Sequence, residues 1–167
     1  MQTASGGGPL AALATASAAE LLATIARAST KNWPDARGVA AQAESLRDRA
    51  APLAALAAEA YEQALRAEGG DHELGRAYAK AAEPPLRIAE AAADVTYLAA
   101  LVAEYGDPAR RPDAVTAGLV AAGCARAAAE LVAVNLTVSS NDERVRRANV
   151  LAEEAARTAE AARAARE

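Results

Sequence analysis

The stretch DAVTAGLVAAGCARAAAELVAVNLTV, residues 113–138, decides the fold. It contains no proline, and after Asp113 its only charges are Arg126 and Glu130. A run of this length built mainly on alanine predicts a helix, because alanine loses almost no side-chain entropy on entering one. It is the most apolar segment of the chain, which predicts a central position. Gly118, Ala121, Ala122, Ala125 and Ala129 form a small-residue seam at three- and four-residue spacing, which predicts short-range packing against another helix. The two charges break the run, so it does not read as a membrane span, which needs about 20 uncharged apolar residues.

The rest of the sequence extends the same reading. Of 167 residues 53 are alanine, whereas only Trp33, Tyr61, Tyr78, Tyr97 and Tyr105 are aromatic. No strand pattern occurs. Alanine buries little area, so helices lined with it must come close together or recruit a second subunit. A charged fraction of 24% with net charge -4 argues against disorder and against a nucleic-acid-binding surface. Cys124 is the sole cysteine and His72 the sole histidine, which excludes an intrachain disulfide and a zinc-type cluster, so no metal is expected. No Lys or Arg precedes a short apolar core at the N-terminus, so no secretory signal is read, and the expectation is a cytoplasmic protein with no membrane partner.

Proline and glycine punctuate the chain. After Gly6-Gly7-Gly8, Pro9 suits a first helical position, and a first helix is expected from about Leu10 to Ser29. A second should start at Pro34-Asp35 and reach about Glu68, with a kink or break near Ala50 imposed by Pro52. A third, capped by Asp71, should reach Tyr105 and be kinked or divided at Pro84-Pro85. The fourth is the segment 113–138. Ser139-Ser140-Asn141-Asp142 predicts a turn and cap before a fifth, whose balanced charges read as a solvated face. The expectation is an all-α, antiparallel bundle of about five long, partly kinked helices, one domain over 1–167, that forms a homodimer.

Several segments read together resemble the cyclodeaminase/cyclohydrolase family, meaning the C-terminal domain of formiminotransferase-cyclodeaminase and the stand-alone methenyltetrahydrofolate cyclohydrolases. Ser5-Gly6-Gly7-Gly8-Pro9 before an alanine-rich helix is similar to the family's opening Pro-Gly-Gly-Gly-Ser segment. Ser29-Thr30-Lys31-Asn32-Trp33 stands where the family has a Thr-x-Gly-Lys-x-x-Tyr-like segment, and Pro84-Pro85-Leu86 matches a Pro-Leu-x-x-Ala helix start. Asp113 to Ala122 and Val134-Asn135-Leu136 are set against Asn-x-x-Ser-Asp-x-Gly-x-Ala-Ala and Ile-Asn-Leu. The departures are pointed. Ala117 stands where the family keeps the acid usually assigned to catalysis, Ala55 and Ala57 where it keeps helix-two carboxylates, and Leu131 where it keeps the first Asn of a pair.

The resemblance implies a tetrahydrofolate derivative as substrate or ligand, with ring opening or deamination of methenyl- or formimino-tetrahydrofolate as the chemistry. That chemistry needs a delivered water and an acid/base group within about 3 Å of the reacting nitrogen. Asp113, one helical turn from Ala117, and Lys31 are the candidate catalytic residues; Gly6, Gly7, Gly8, Trp33, Thr116 and Asn135 are the candidate substrate-binding residues, expected around one pocket near the subunit interface. Glycine admits close backbone approach to a ligand, Lys31 offers a cation to a glutamate tail, and Trp33 offers a flat face, although a core anchor explains it as well. The alternative is a non-catalytic helical homodimer that binds folate or another small ligand, or acts as a scaffold. Cys124 reads as a small buried apolar group, His72 as a surface residue, and Asp94 and the Arg110-Arg111 pair as minor candidates.

Overall fold

Prolines and glycines set the helix boundaries in the computed structural model, which describes residues 6–136 and 141–165. The chain forms α1 (Gly7–Ala28), α2 (Ala36–Ala50), α3 (Leu53–Leu65), α4 (Asp71–Ala81), α5 (Glu83–Tyr105), α6 (Arg111–Asn135) and α7 (Glu143–Ala164), with one 3-10 turn at Pro108–Arg110. No strand occurs among the described residues. Two of the five expected helices are divided, and both breaks fall at the expected prolines. Pro52 becomes the residue before α3, and Pro84-Pro85 enter the first turn of α5, where backbone N–H groups have no helical partner to lose. Thr137, Val138, Ser139 and Ser140, including part of the expected turn, lie outside the described residues.

Between α3 and α4 the chain turns at Gly69, whose φ of 132° favours glycine. The start of α4 differs from expectation. Gly70 is the cap position, and Glu73 reaches back so that its carboxylate accepts from the Gly70 N–H at 3.1 Å, half of a capping box. Asp71 is the first helical residue instead of the cap.

Helix α6 is central, packed against α1, α5 and α7. Its small-residue seam is buried, and a Cβ built at Gly118 would lie 3.1 Å from the Ala99 Cβ of α5. The seam therefore meets a helix of the same chain, not a second subunit. Chain directions follow from the end contacts. Arg144 at the start of α7 reaches Glu83 at the start of α5 at 2.9 Å, while Arg111 at the start of α6 donates to Ala162 O at the end of α7 at 2.7 Å. Ser29 Oγ at the end of α1 accepts from the Asp107 N–H just after α5 at 2.9 Å. Hence α1, α5 and α7 run one way and α6 the other.

By length and hydropathy both α1 and the segment 108–135 match a membrane helix, with mean hydropathy 1.5 and 1.6, a property that the interrupting charges conceal. About half of each is buried inside the bundle, 56% and 50%, as in core helices of an alanine-rich protein.

Asp142 ties α7 to this frame. Its carboxylate accepts from the Arg144 N–H at 2.9 Å and from that residue's guanidinium at 2.9 and 3.0 Å. The side-chain and backbone bonds from Arg144 hold its pKa down from the ordinary 3.8 to about 2. Because the folded-state value is depressed, the contribution to stability is present above the unfolded value and is lost as pH falls from about 4 through 2. Asp142→Ala should cost about 1 kcal/mol at neutral pH, a difference that shrinks over this acid range in urea unfolding.

Candidate functional site

Gly8, Ala57, Tyr61, Pro85, Leu131 and Asn135 line one pocket at the end of the bundle where α1 and α5 begin and α6 finishes. Gly8 makes this convergence geometrically feasible. A Cβ built on it would lie 2.8 Å from the Ala57 Cβ, so only glycine lets the first turn of α1 approach α3 this closely. Asn135 occupies the last residue of α6, and its Nδ2 donates to Leu131 O at 2.8 Å. That bond turns the side-chain oxygen into the group Asn135 can offer to a ligand donor. The pocket holds only about 20 Å³, room for one water.

Asn135 also borders a larger cavity of about 760 Å³ between α4, the end of α6 and the start of α7. Leu74, Tyr78, Val134 and Leu136 give it apolar walls, and His72, Arg76 and Arg144 give it cationic or titratable rims. A volume of this size suits a drug-sized organic ligand. Arg144 is fixed there by Asp142, by Glu83 and by donation to Ala79 O at 2.9 Å. Tyr61 and Ala57 share a helix face by their four-residue spacing, but nothing in the sequence places Arg76, Tyr78 or Arg144 beside Asn135. Their placement depends on how α4 folds back, which Gly69 decides.

The expected site residues fall into two groups. Gly6, Gly7, Gly8 and Asn135 gather at this end. Lys31, Trp33, Asp113 and Thr116 lie at the other, roughly 30 Å away by the length of α1. Within one subunit the two groups do not share a pocket, because a long helix separates its two ends whatever their resemblance to functional motifs. Lys31 and Asp113 are exposed, and Thr116 Oγ1 donates to Pro112 O at 2.8 Å. Trp33 is 8% exposed with its ring 6.0 Å from that of Tyr105, so it serves as a core anchor. Ala117 is buried in the apolar cluster around Trp33, one turn from the exposed Asp113, and the two do not share a surface. Ala57 faces the pocket while Ala55 is exposed.

The remaining candidates have structural partners. Asp94 pairs with Arg49 at 2.8 Å, and Arg111 caps the carbonyl end of α7 through Ala162 and Ala165. Burial pushes the Cys124 thiol up, which suits a small apolar core group. Among the described residues no three His, Cys, Asp or Glu side chains cluster as metal ligands would.

Compared with known proteins, residues 1–157 match the family model of formiminotransferase-cyclodeaminase. No curated protein matches the sequence. The fold matches the crystal structure of formiminotetrahydrofolate cyclodeaminase from Thermotoga maritima with a TM-score of 0.81 at 21% identity, over 96% of this chain and 85% of that one.

Gly8→Leu should force α1 away from α3 and cost about 1–3 kcal/mol, seen as a lower Tm, whereas the same change at the exposed Gly6, with nothing within 4 Å of its Cβ, should leave Tm unchanged.

Proposed function

Because the chain belongs to the formiminotransferase-cyclodeaminase family, we propose that it is a cyclodeaminase/cyclohydrolase-like protein of one-carbon folate metabolism, holding a methenyl- or formimino-tetrahydrofolate where the Gly8–Asn135 pocket opens beside the α4–α6 cavity. One observation carries this reading. Gly8, Ala57, Tyr61, Leu131 and Asn135, which come from separate stretches set against family motifs, line a single pocket. A pterin is flat and polar-edged, and the cavity offers Tyr78 and Leu74 as walls with the Asn135 oxygen as an acceptor. The glutamate carboxylates of a folate find a cation in Arg76. A cytoplasmic setting suits this ligand.

The same pocket supports a member whose turnover is reduced or lost. Ring opening requires an acid/base group within about 3 Å of the reacting nitrogen. Ala57 presents a methyl group and Leu131 an aliphatic chain where the family resemblance expects polar side chains, leaving the Tyr61 hydroxyl and the Asn135 amide as the polar groups of the small pocket. Neither is a carboxyl or an imidazole group. Lys31 and Asp113 stand at the far end of the same subunit, too distant to act on a ligand held here. Binding with little chemistry is thus the reading the geometry favours, and both ring hydrolysis and deamination suffer alike from the missing acid/base group.

Calorimetry with tetrahydrofolate and its methenyl derivative should show binding that Asn135→Ala weakens by about tenfold. The long-wavelength absorbance of methenyltetrahydrofolate should decay near the buffer rate in the presence of pure protein. Fast decay would overturn the loss of turnover, and absence of binding would overturn the folate reading and leave a scaffold.

A further inference from the structure

A separate cavity of about 300 Å³ lies where the end of α2, the start of α3, the first half of α5 and the early turns of α7 meet. It shares no lining residue with the Gly8–Asn135 pocket or with the α4–α6 cavity. Leu53 and Ala91, both buried, and the half-buried Leu151 give it one apolar wall. The other walls carry three arginines from three different helices, Arg49 of α2, Arg87 of α5 and Arg147 of α7.

Helical spacing explains the arrangement. Arg87, Glu90, Ala91 and Asp94 recur at three- and four-residue steps, so α5 turns one face of mixed character toward α2 and α7. Glu90 takes Arg147 at 2.6 Å, and Asp94 takes Arg49 at 2.8 Å. Both pairs are solvent-accessible, so each contributes little stability and is exchanged for another anion at little cost. Arg87 makes no ion pair among the described residues. Three cations therefore face two carboxylates, an excess of one positive charge with Arg87 as its unpaired member.

This geometry suits a phosphate group better than a further carboxylate. A carboxylate is planar and matches the edge of a single guanidinium, whereas a tetrahedral phosphate accepts from several sides and carries nearly two charges at neutral pH. We propose that the cavity is a binding site for a small phosphorylated molecule. Arg87 is its principal donor, Arg49 and Arg147 flank it, and Glu90 and Asp94 hold those two arginines at the cavity until the phosphate competes for them. The volume stands at the small end of ligand pockets, which leaves room for a short organic stem along Leu53, Ala91 and Leu151. An occupied site ties α2, α5 and α7 together through one group, where the empty one links them only pairwise. None of these residues belongs to the site proposed for folate.

Calorimetry and thermal unfolding of the full chain with glycerol 3-phosphate and with inorganic phosphate, at constant ionic strength, should show saturable binding and a raised Tm. Arg87→Ala should weaken binding by about tenfold and leave the ligand-free Tm unchanged, because the side chain is exposed and unpaired among the described residues. Asp94→Asn should tighten binding about threefold by releasing Arg49. Glu160→Gln removes the same charge roughly 14 Å along α7 from Leu151, beyond the screening length, and should leave affinity unchanged. Absence of saturable binding, an affinity indifferent to Arg87→Ala, or equal gains from Asp94→Asn and Glu160→Gln would overturn the proposal. Citrate binding as tightly as the phosphates would also overturn it, by marking a surface for anions in general. Tighter binding of glycerol 3-phosphate than of inorganic phosphate supports an organic phosphate that uses the apolar wall, and equal affinities support a site for the free ion.

Discussion

Close approach of helices whose facing side chains are methyl groups or hydrogen atoms is the constraint on which this structure depends. A buried alanine withdraws little area from water, so at roughly 25 cal/mol per Å² no single contact anchors the bundle. Dispersion gains fall off steeply with any gap, and an alanine interface therefore contributes only when backbones come near each other. The structure does this where α6 meets α5, with Gly118 against Ala99, and where α1 meets α3, with Gly8 against Ala57. The few large buried side chains, among them Leu22, Ile25, Ile88, Leu98 and Val132, fill what such close packing leaves. Helix formation itself is inexpensive, because alanine has little conformational entropy to lose.

The same constraint shapes the pocket. Five helix segments can converge around Asn135 only because their contact surfaces are small, and the result is space for one water instead of a deep cleft. The roomier cavity exists beside it because α4 is a separate short helix, folded back at Gly69 and held by Glu73 and Arg144, with Tyr78 and Leu74 turned toward the end of α6. Ala57 and Leu131 line this spot with apolar side chains. The exposed leucines of α1 and valines of α6 follow from the same economy, since a single subunit offers no further helix to cover them.

Much of this was legible in the chain. The prolines at 52, 84 and 85 divide helices where a missing donor must be accommodated, and Asp142 caps α7 as its side chain requires. Gly8 and Asn135, which line the small pocket, were singled out through the family resemblance. Lys31, Trp33, Asp113 and Thr116 were equally motif-like, yet they occupy the opposite end, because order along the sequence does not record which end of a helix a motif falls on. The seam of Gly118 to Ala129 was correctly read as a packing surface, but its partner could not be read, since a small-residue stripe fits a helix of the same chain as well as one of another. Arg76, Tyr78 and Arg144 carried no signal at all. Each is an ordinary amphipathic-helix residue until α4 turns back.

By itself the sequence determined that the chain is helical, where proline and glycine divide its helices, and that it belongs to the formiminotransferase-cyclodeaminase family. These properties are local, set by side-chain entropy, missing backbone donors and residue identity. Only the tertiary structure decided which of these residues face the pocket, that Ala57 and Leu131 do while Ala55 and Ala117 do not, and which apolar side chains remain exposed. Those outcomes depend on the rotation of each helix about its own axis, and that rotation is fixed by contacts between segments far apart in the chain.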